Sequence, residues 1–399
     1  MVFCSIRGSQ HQTIMLRNIH QDSLLNAFFL SILATAGLFY VNLGGSFLSA
    51  FVDGLSIERD AAGFIVSANK YGAAFGGLLA AIFIKKLIWR KSAYILLFIL
   101  ISIDIISSQI PNANLLILIR FLHGTIGGFL VGIGLSVIAR TSFPDRVFGM
   151  LMVVQYSFGS IGIFTVPRLV DAFGYSAVFF VLITFSIMTL LILPLIPDPK
   201  EKEETVSSSG VLSLHSKALL GICLMSLFLF QASNMGVADF AFELGKDIDL
   251  TNNEISNLLT IANIISISGG AFAYLIATRF GRTLPLLFGF TIASLFTYLL
   301  NFSENITIYF VANSVTGITW GFVIPYLLGL AATFDKYGQM AALAGFVSKI
   351  GLASGPLIAS FLIIDYGFSA IINLATFGLL LGCVLAVYAS QQSSKINNE

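Results

Sequence analysis

Charged side chains are scarce in this chain: Lys, Arg, Asp and Glu make up 10% of its 399 residues, against 57% hydrophobic residues. A water-soluble domain carries roughly 25% charged residues, so a chain of this composition cannot be solvated over its whole length. Cysteine is nearly absent. Cys4, Cys223 and Cys383 are too few and too scattered for a disulfide framework or a metal site, and they read as inert apolar residues. There is no glycine-rich phosphate loop ending in Gly-Lys-Ser or Gly-Lys-Thr, and no zinc-protease helix motif. Those absences count against an ATP-driven pump and against most membrane enzymes. No basic stretch suits a nucleic acid, and no cofactor is expected.

What the chain has in abundance is apolar runs, each near the roughly 20 residues that a helix needs to cross the hydrocarbon core. They lie at about 24–52, 61–84, 92–110, 114–139, 147–168, 176–196, 218–242, 254–277, 284–301, 306–332, 339–363 and 368–389, numbered as segments one to twelve. The fold class predicted is an all-α integral membrane protein. Residues 1–23 and 390–399 read as polar tails. The Pro-, charge- and Ser-rich stretch 197–217 reads as a linker between a six-helix bundle over 24–196 and a second over 218–389. Of the 21 Lys and Arg, fifteen fall on the side of the tails, three (Arg59, Arg168 and Lys246) on the other, and Lys70, Arg120 and Lys349 inside segments. Positive loops stay cytoplasmic, so both tails are expected there, in the cytoplasmic membrane, with Asp53, Glu58, Asp60, Glu243, Asp247 and Asp249 facing out.

The two halves repeat. Asn42-Leu43-Gly44 returns as Asn234-Met235-Gly236, Ala68-Asn69 as Ala262-Asn263, Gly124 with Gly128-Phe129 as Gly317 with Gly321-Phe322, and Gly162 and Pro167 as Gly351 and Pro356. The offsets run from 189 to 194, in the same order. Duplicated apolar halves are the mark of secondary transporters, with the substrate held where the halves meet.

Further residues carry a family resemblance. Segment four contains Arg120-Phe121-Leu122-His123-Gly124, and the loop after segment eight reads Arg279-Phe280-Gly281-Arg282. Over essentially its full length the chain resembles the major facilitator superfamily. The first-half loop, Lys85-Lys86-Leu87-Ile88-Trp89-Arg90-Lys91, keeps the basic charge but lacks the family's acid and glycine. In segment five, Gly159, Gly162 and Pro167 resemble the remains of an antiporter motif in which Val166 breaks the Gly-Pro pair, while Gly355-Pro356 is intact. The resemblance implies twelve helices in two pseudo-symmetric bundles, a central cavity and alternating access. It also implies that segments two and eleven face each other across the halves.

Buried charges present in only one half need a reason beyond the scaffold. Lys70 aligns with Ile264, Arg120 with Asn313, His123 with Thr316 and Lys349 with Ser160. At 1.5 Å per residue, Lys70 lies about 13 Å and Lys349 about 15 Å into their segments, near mid-membrane. An ionisable group at that depth faces a partner or a wet cavity. Lys349, Lys70 and Arg120 therefore read as an anion site, with Asn42, Gln231, Asn234, Asn263 and Trp320 as cavity-lining groups. The competing reading pairs Lys70 or Arg120 permanently with Asp104 of segment three. Asp104 and His123 are the candidates for proton coupling. The expectation is a monomer moving a small organic anion with protons. A drug or metabolite exporter with an aromatic pocket, and a transporter-like receptor, stand as rivals.

Overall fold

The computed structural model describes residues 20–43, 47, 50, 51, 55, 59–199, 214–335 and 337–396. The N-terminal tail up to residue 19, most of the expected linker, and Asp53 and Glu58 lie outside the described residues. The chain folds into helices. Segment one comprises Leu24–Ala36 and Phe39–Asn42; segments two to six are Arg59–Phe83, Trp89–Ser107, Ala113–Ala139, Pro144–Phe173 and Ser176–Ile192. Segment seven is Leu214–Ala238, followed by the short helix Ala241–Asp247. Segments eight to ten are Asn252–Ile276, Thr283–Leu299 and Ile306–Ala331, and Gln339–Ile396 carries both eleven and twelve. Nine helices among the described residues are long and apolar enough to cross a membrane.

Local chemistry sets where these helices begin. The Asn112 side chain accepts from the Leu115 N–H at 3.0 Å, and the Asn305 side chain accepts from the Thr307 N–H at 2.9 Å. Thr251 and Glu254 close a capping box ahead of segment eight. Pro144 opens segment five, where its missing N–H costs nothing. Asp335 holds the start of segment eleven, accepting from the N–H groups of Gln339 at 2.9 Å and Met340 at 3.0 Å.

The duplication runs further than the four blocks above. Segment five turns into six at Phe173-Gly174-Tyr175-Ser176-Ala177, and eleven into twelve at Tyr366-Gly367-Phe368-Ser369-Ala370, 193 positions on. Gly174 has φ 74° and ψ −176°, and Gly367 has φ 70° and ψ −172°. That conformation is open essentially to glycine alone, so one hinge has been kept twice.

The small residues bring helix backbones together. Gly124 and Gly128 of segment four lie against the backbone carbonyls of Asn69 and Ala73, and Gly72 and Gly76 of segment two lie against those of Phe121 and Thr125. In the second half, Gly269 of segment eight packs on the Ile318 backbone, and Gly317 of segment ten on the Ser266 side chain. Gly162 meets Leu43 of segment one, and its counterpart Gly351 meets Gln231 of segment seven. Where lipid supplies no hydrophobic push between helices, this close approach supplies the attraction.

The halves meet along two seams. In one, Phe346 of segment eleven contacts Gly77 of segment two at 3.5 Å from an ideal Cβ, Ala342 faces Gly132, and the Gln339 amide donates to the Ala81 carbonyl at 2.7 Å. In the other, Gly149 and Met152 of segment five pack on Tyr274 and Gly270 of segment eight. These contacts lie toward the end where Lys85, Lys86, Arg279 and Arg282 cluster, hereafter the basic end.

Candidate functional site

Segment two runs toward the basic end and segment eleven away from it. Lys70 lies seven residues, about 10 Å, beyond the Gly77–Phe346 crossing, toward the opposite end. Lys349 lies three residues, about 4.5 Å, beyond it in the same direction. Seven residues bring a helix back to nearly the same face, so Lys70 shares the face by which Gly77 meets the other half. Both lysines thus stand above the seam that closes the basic end. The charge of Lys70 reaches Asp239, which follows segment seven in the other half and is open to solvent.

Lys349 is half-buried and has no carboxylate or hydrogen-bond partner among the described residues. Beside it the hydrogen bonds are tight. The amide of Gln231 on segment seven donates to the Ser348 hydroxyl at 2.5 Å, and its carbonyl accepts from the Trp320 indole N–H of segment ten at 2.5 Å. Tyr156 of segment five crosses to this group from the first half. Its ring meets Trp320 edge-on, with centroids 5.6 Å apart, and its hydroxyl donates to the Gly317 carbonyl at 3.3 Å. Ser160, the counterpart of Lys349, lies one turn further along segment five, and its buried hydroxyl has no partner among the described residues.

Arg120, Asp104 and His123 form a separate cluster inside the first half. Arg120 and Asp104 are fully buried and paired, Nη1 to Oδ1 at 2.7 Å, and Nη1 also donates to Ser107 Oγ at 3.2 Å. The guanidinium lies 4.9 Å from the Tyr40 ring centroid and 5.4 Å from that of Phe179. His123 Nε2 is 3.3 Å from Asp104 Oδ2. Asn69 Nδ2 donates to the Arg120 carbonyl at 3.2 Å and meets His123 Nδ1 at 2.8 Å. A carbonyl only accepts, which fixes that amide as the donor, so Nδ1 accepts and the ring proton sits on Nε2, facing Asp104. The histidine is therefore neutral in this arrangement. Charging it would set an N–H against the Asn69 amide, at the place where Gly124 packs on segment two.

The structure thus separates the three cations: Lys70 and Lys349 lie above the seam, while Arg120 is spent on Asp104, the competing reading of its charge. Gln231 and Trp320 belong to the Lys349 group. Asn234 donates to its own helix, to the Phe230 carbonyl at 2.7 Å; Asn263 is half-buried; the Asn42 side chain lies outside the described residues. The counterparts of Arg120 and His123 carry no charge, and Asn313 and Thr316 bond to Tyr309 and Ala312 carbonyls of their own helix.

Sequence reasoning passed over Tyr156, Ser348, Ser160 and Asn69. The symmetry test would have found Tyr156 had it been applied to bulk as well as charge. Tyr156 aligns with Gly345 and Trp320 with Gly127, so each large ring stands where the other half has no side chain. The basic loops also differ. Arg282 forms a two-pronged pair with Asp145 of the first half, Nε to Oδ1 at 2.8 Å and Nη2 to Oδ2 at 2.7 Å. Lys85 instead stands 5.6 Å over the Tyr337 ring. Asp145 is 1% exposed and Arg282 21%, so Asp145→Asn is expected to weaken closure of the basic end by about 1–3 kcal/mol. Faster hydrogen exchange in residues 140–150 and 276–286 would register it; unchanged exchange would leave the pair without a closing role.

No family model matches the chain. It is 26% identical over 319 residues to multidrug resistance protein MdtG of Proteus mirabilis (strain HI4320), covering 75% of this chain and 77% of that one. Among solved structures, the E. coli fucose:proton symporter FucP superposes with a TM-score of 0.72 at 14% identity, covering 92% of this chain and 99% of FucP. The human organic anion transporter MFSD10 (TETRAN) superposes with a TM-score of 0.67 at 15% identity, covering 90% and 97%. A further structure of FucP, described as a Major Facilitator Superfamily transporter in the outward conformation, covers 93% of this chain with a TM-score of 0.72. The solved structures carry the fold, and MdtG carries the sequence likeness over three quarters of the length. With its duplicated halves, the chain has the helical membrane-protein fold of the major facilitator superfamily structures on which it superposes.

Proposed function

We propose that this transporter moves a small organic anion by alternating access, coupled to protons. The observation that carries the reading is Lys349: a cation at mid-helix, unpaired, beside polar groups already ordered by their own hydrogen bonds. An unpaired charge at that depth is costly, and a carboxylate offering charge-assisted hydrogen bonds offsets the cost. Lys70 supplies the second positive charge, and Asp239 competes with the anion for it. On the rule that positive loops stay inside, the basic end where the seams lie is the cytoplasmic one. Rocking of the halves about the two seams then delivers the anion inward.

Arg120, Asp104 and His123 form the proton-sensitive unit. A proton on His123 converts Nδ1 from acceptor to donor and displaces the Asn69 amide, which loosens segment two against four. His123→Gln is expected to retain flux while flattening its dependence on pH. Initial rates in proteoliposomes between pH 5.5 and 7.5 read this directly. An unchanged pH profile would remove His123 from the coupling.

The direct test is carboxylate accumulation in proteoliposomes under an imposed proton gradient. A second reading, an exporter of apolar drugs, draws on the MdtG likeness and on the Tyr156–Trp320 contact. Flux of lipophilic cations, with no response to carboxylates, would favour it and end the anion reading.

A further inference from the structure

The groups around Lys349 are more selective than an anion site requires. A bare carboxylate needs a donor and a positive charge, and the Lys349 ammonium supplies both. Yet the polar neighbours lead away from the ammonium to an indole. Ser348, the residue before Lys349, accepts from Gln231, and Gln231 accepts from Trp320. That chain fixes the indole plane, and the Tyr156 ring set edge-on at 80° braces it from the other half. Trp320 and Tyr156 both remain half-buried. A rigid aromatic surface therefore stands beside an unpaired cation at the seam between the halves.

We infer that the transporter selects aromatic carboxylates, with the carboxylate on Lys349 and the ring packed on Trp320 and Tyr156. Ring-on-ring contact adds attraction beyond burial of the same area, which separates an aromatic acid from an alicyclic acid of equal bulk. The ring also bridges the halves, because Tyr156 and Trp320 belong to different ones, so its presence bears on their closure. This inference rests on the anion reading of the same site.

Thermal-shift titrations of the purified full chain in detergent test it, comparing benzoate and phenylacetate with cyclohexanecarboxylate and acetate. Benzoate and phenylacetate are expected to give half-maximal stabilisation at concentrations about tenfold below cyclohexanecarboxylate, with acetate weaker still. Trp320→Leu should bring benzoate and cyclohexanecarboxylate within about threefold of each other while both still stabilise. Trp320→Phe, which keeps a ring, should retain most of the preference. Equal responses to benzoate and cyclohexanecarboxylate in the unaltered protein would overturn the aromatic selection and leave the anion site standing. No response to any carboxylate would overturn both. The comparison in the unaltered protein needs no variant to fold.

Discussion

Replacing Asp104 with leucine is expected to destabilise the protein by about 3–5 kcal/mol, a large fraction of the stability of a typical folded domain. The carboxylate is fully buried and is the only anion paired with Arg120 among the described residues. Removing it leaves a guanidinium with Ser107 as its remaining hydrogen-bond acceptor and two aromatic faces, Tyr40 and Phe179, as partial compensation. Arg120 Nε and Nη2 lack hydrogen-bond partners among the described residues, and the neighbouring Tyr40 hydroxyl offers a neutral acceptor, not a second anion. Arg120→Leu should cost less, because Asp104 keeps His123 as a partner and can accept a proton. The double variant Asp104→Leu with Arg120→Leu should recover much of the loss, since apolar pairs often replace buried ion pairs without penalty. Melting of the four proteins in one detergent closes the cycle. If the double variant is as unstable as the sum of the singles, the two residues are not coupled and the cluster is not a unit.

The sequence made the architecture readable because duplication writes one set of packing constraints twice. Gly124 and Gly317 recur because helices two and four, and eight and ten, approach closely in both halves. The Gly174 and Gly367 turns were equally legible in principle, since the flanking Tyr-Ser-Ala and Phe-Ser-Ala are nearly the same. The partner of Arg120 was not. Depth along a helix follows from counting residues, but which way a side chain faces depends on helix rotation, which a nearly all-apolar helix conceals. Segments three and four are largely hydrophobic, and the short polar pairs Asp104/Ser107 and Arg120/His123 do not by themselves say which helix each faces. Asn69 was hidden for a different reason. It aligns with Asn263, so the symmetry test placed it with the scaffold, although only the first half puts a histidine beside it. The basic loops show a third limit. Asp145 follows Phe143-Pro144 and Asp335 follows Phe334 at the basic end, yet one pairs with Arg282 and the other caps a helix, a division that depends on which backbone N–H groups each can reach.

Lys349→Gln should move two measurements in opposite directions, and the opposition is the diagnosis. A structural lysine, once removed, lowers the stability of the empty protein. An unpaired cation held for a ligand does the reverse, because neutralising it removes the cost of keeping a bare charge out of water. The empty variant is therefore expected to melt at or above the temperature of the unaltered protein. Anion-dependent stabilisation should meanwhile collapse. Ligand at 100 times its dissociation constant stabilises by about 2.7 kcal/mol. Loss of a charge-assisted hydrogen bond, about 1.5–3 kcal/mol, raises that constant roughly 10- to 150-fold and removes most of the stabilisation at the same concentration. Glutamine keeps the length and a donor, so the missing charge accounts for the difference more cleanly than it would with alanine. Uptake should fall in parallel while the protein remains folded in the membrane. If uptake and ligand-dependent melting both survive unchanged, Lys349 holds no anion. Lys70 would then be the cation to examine next.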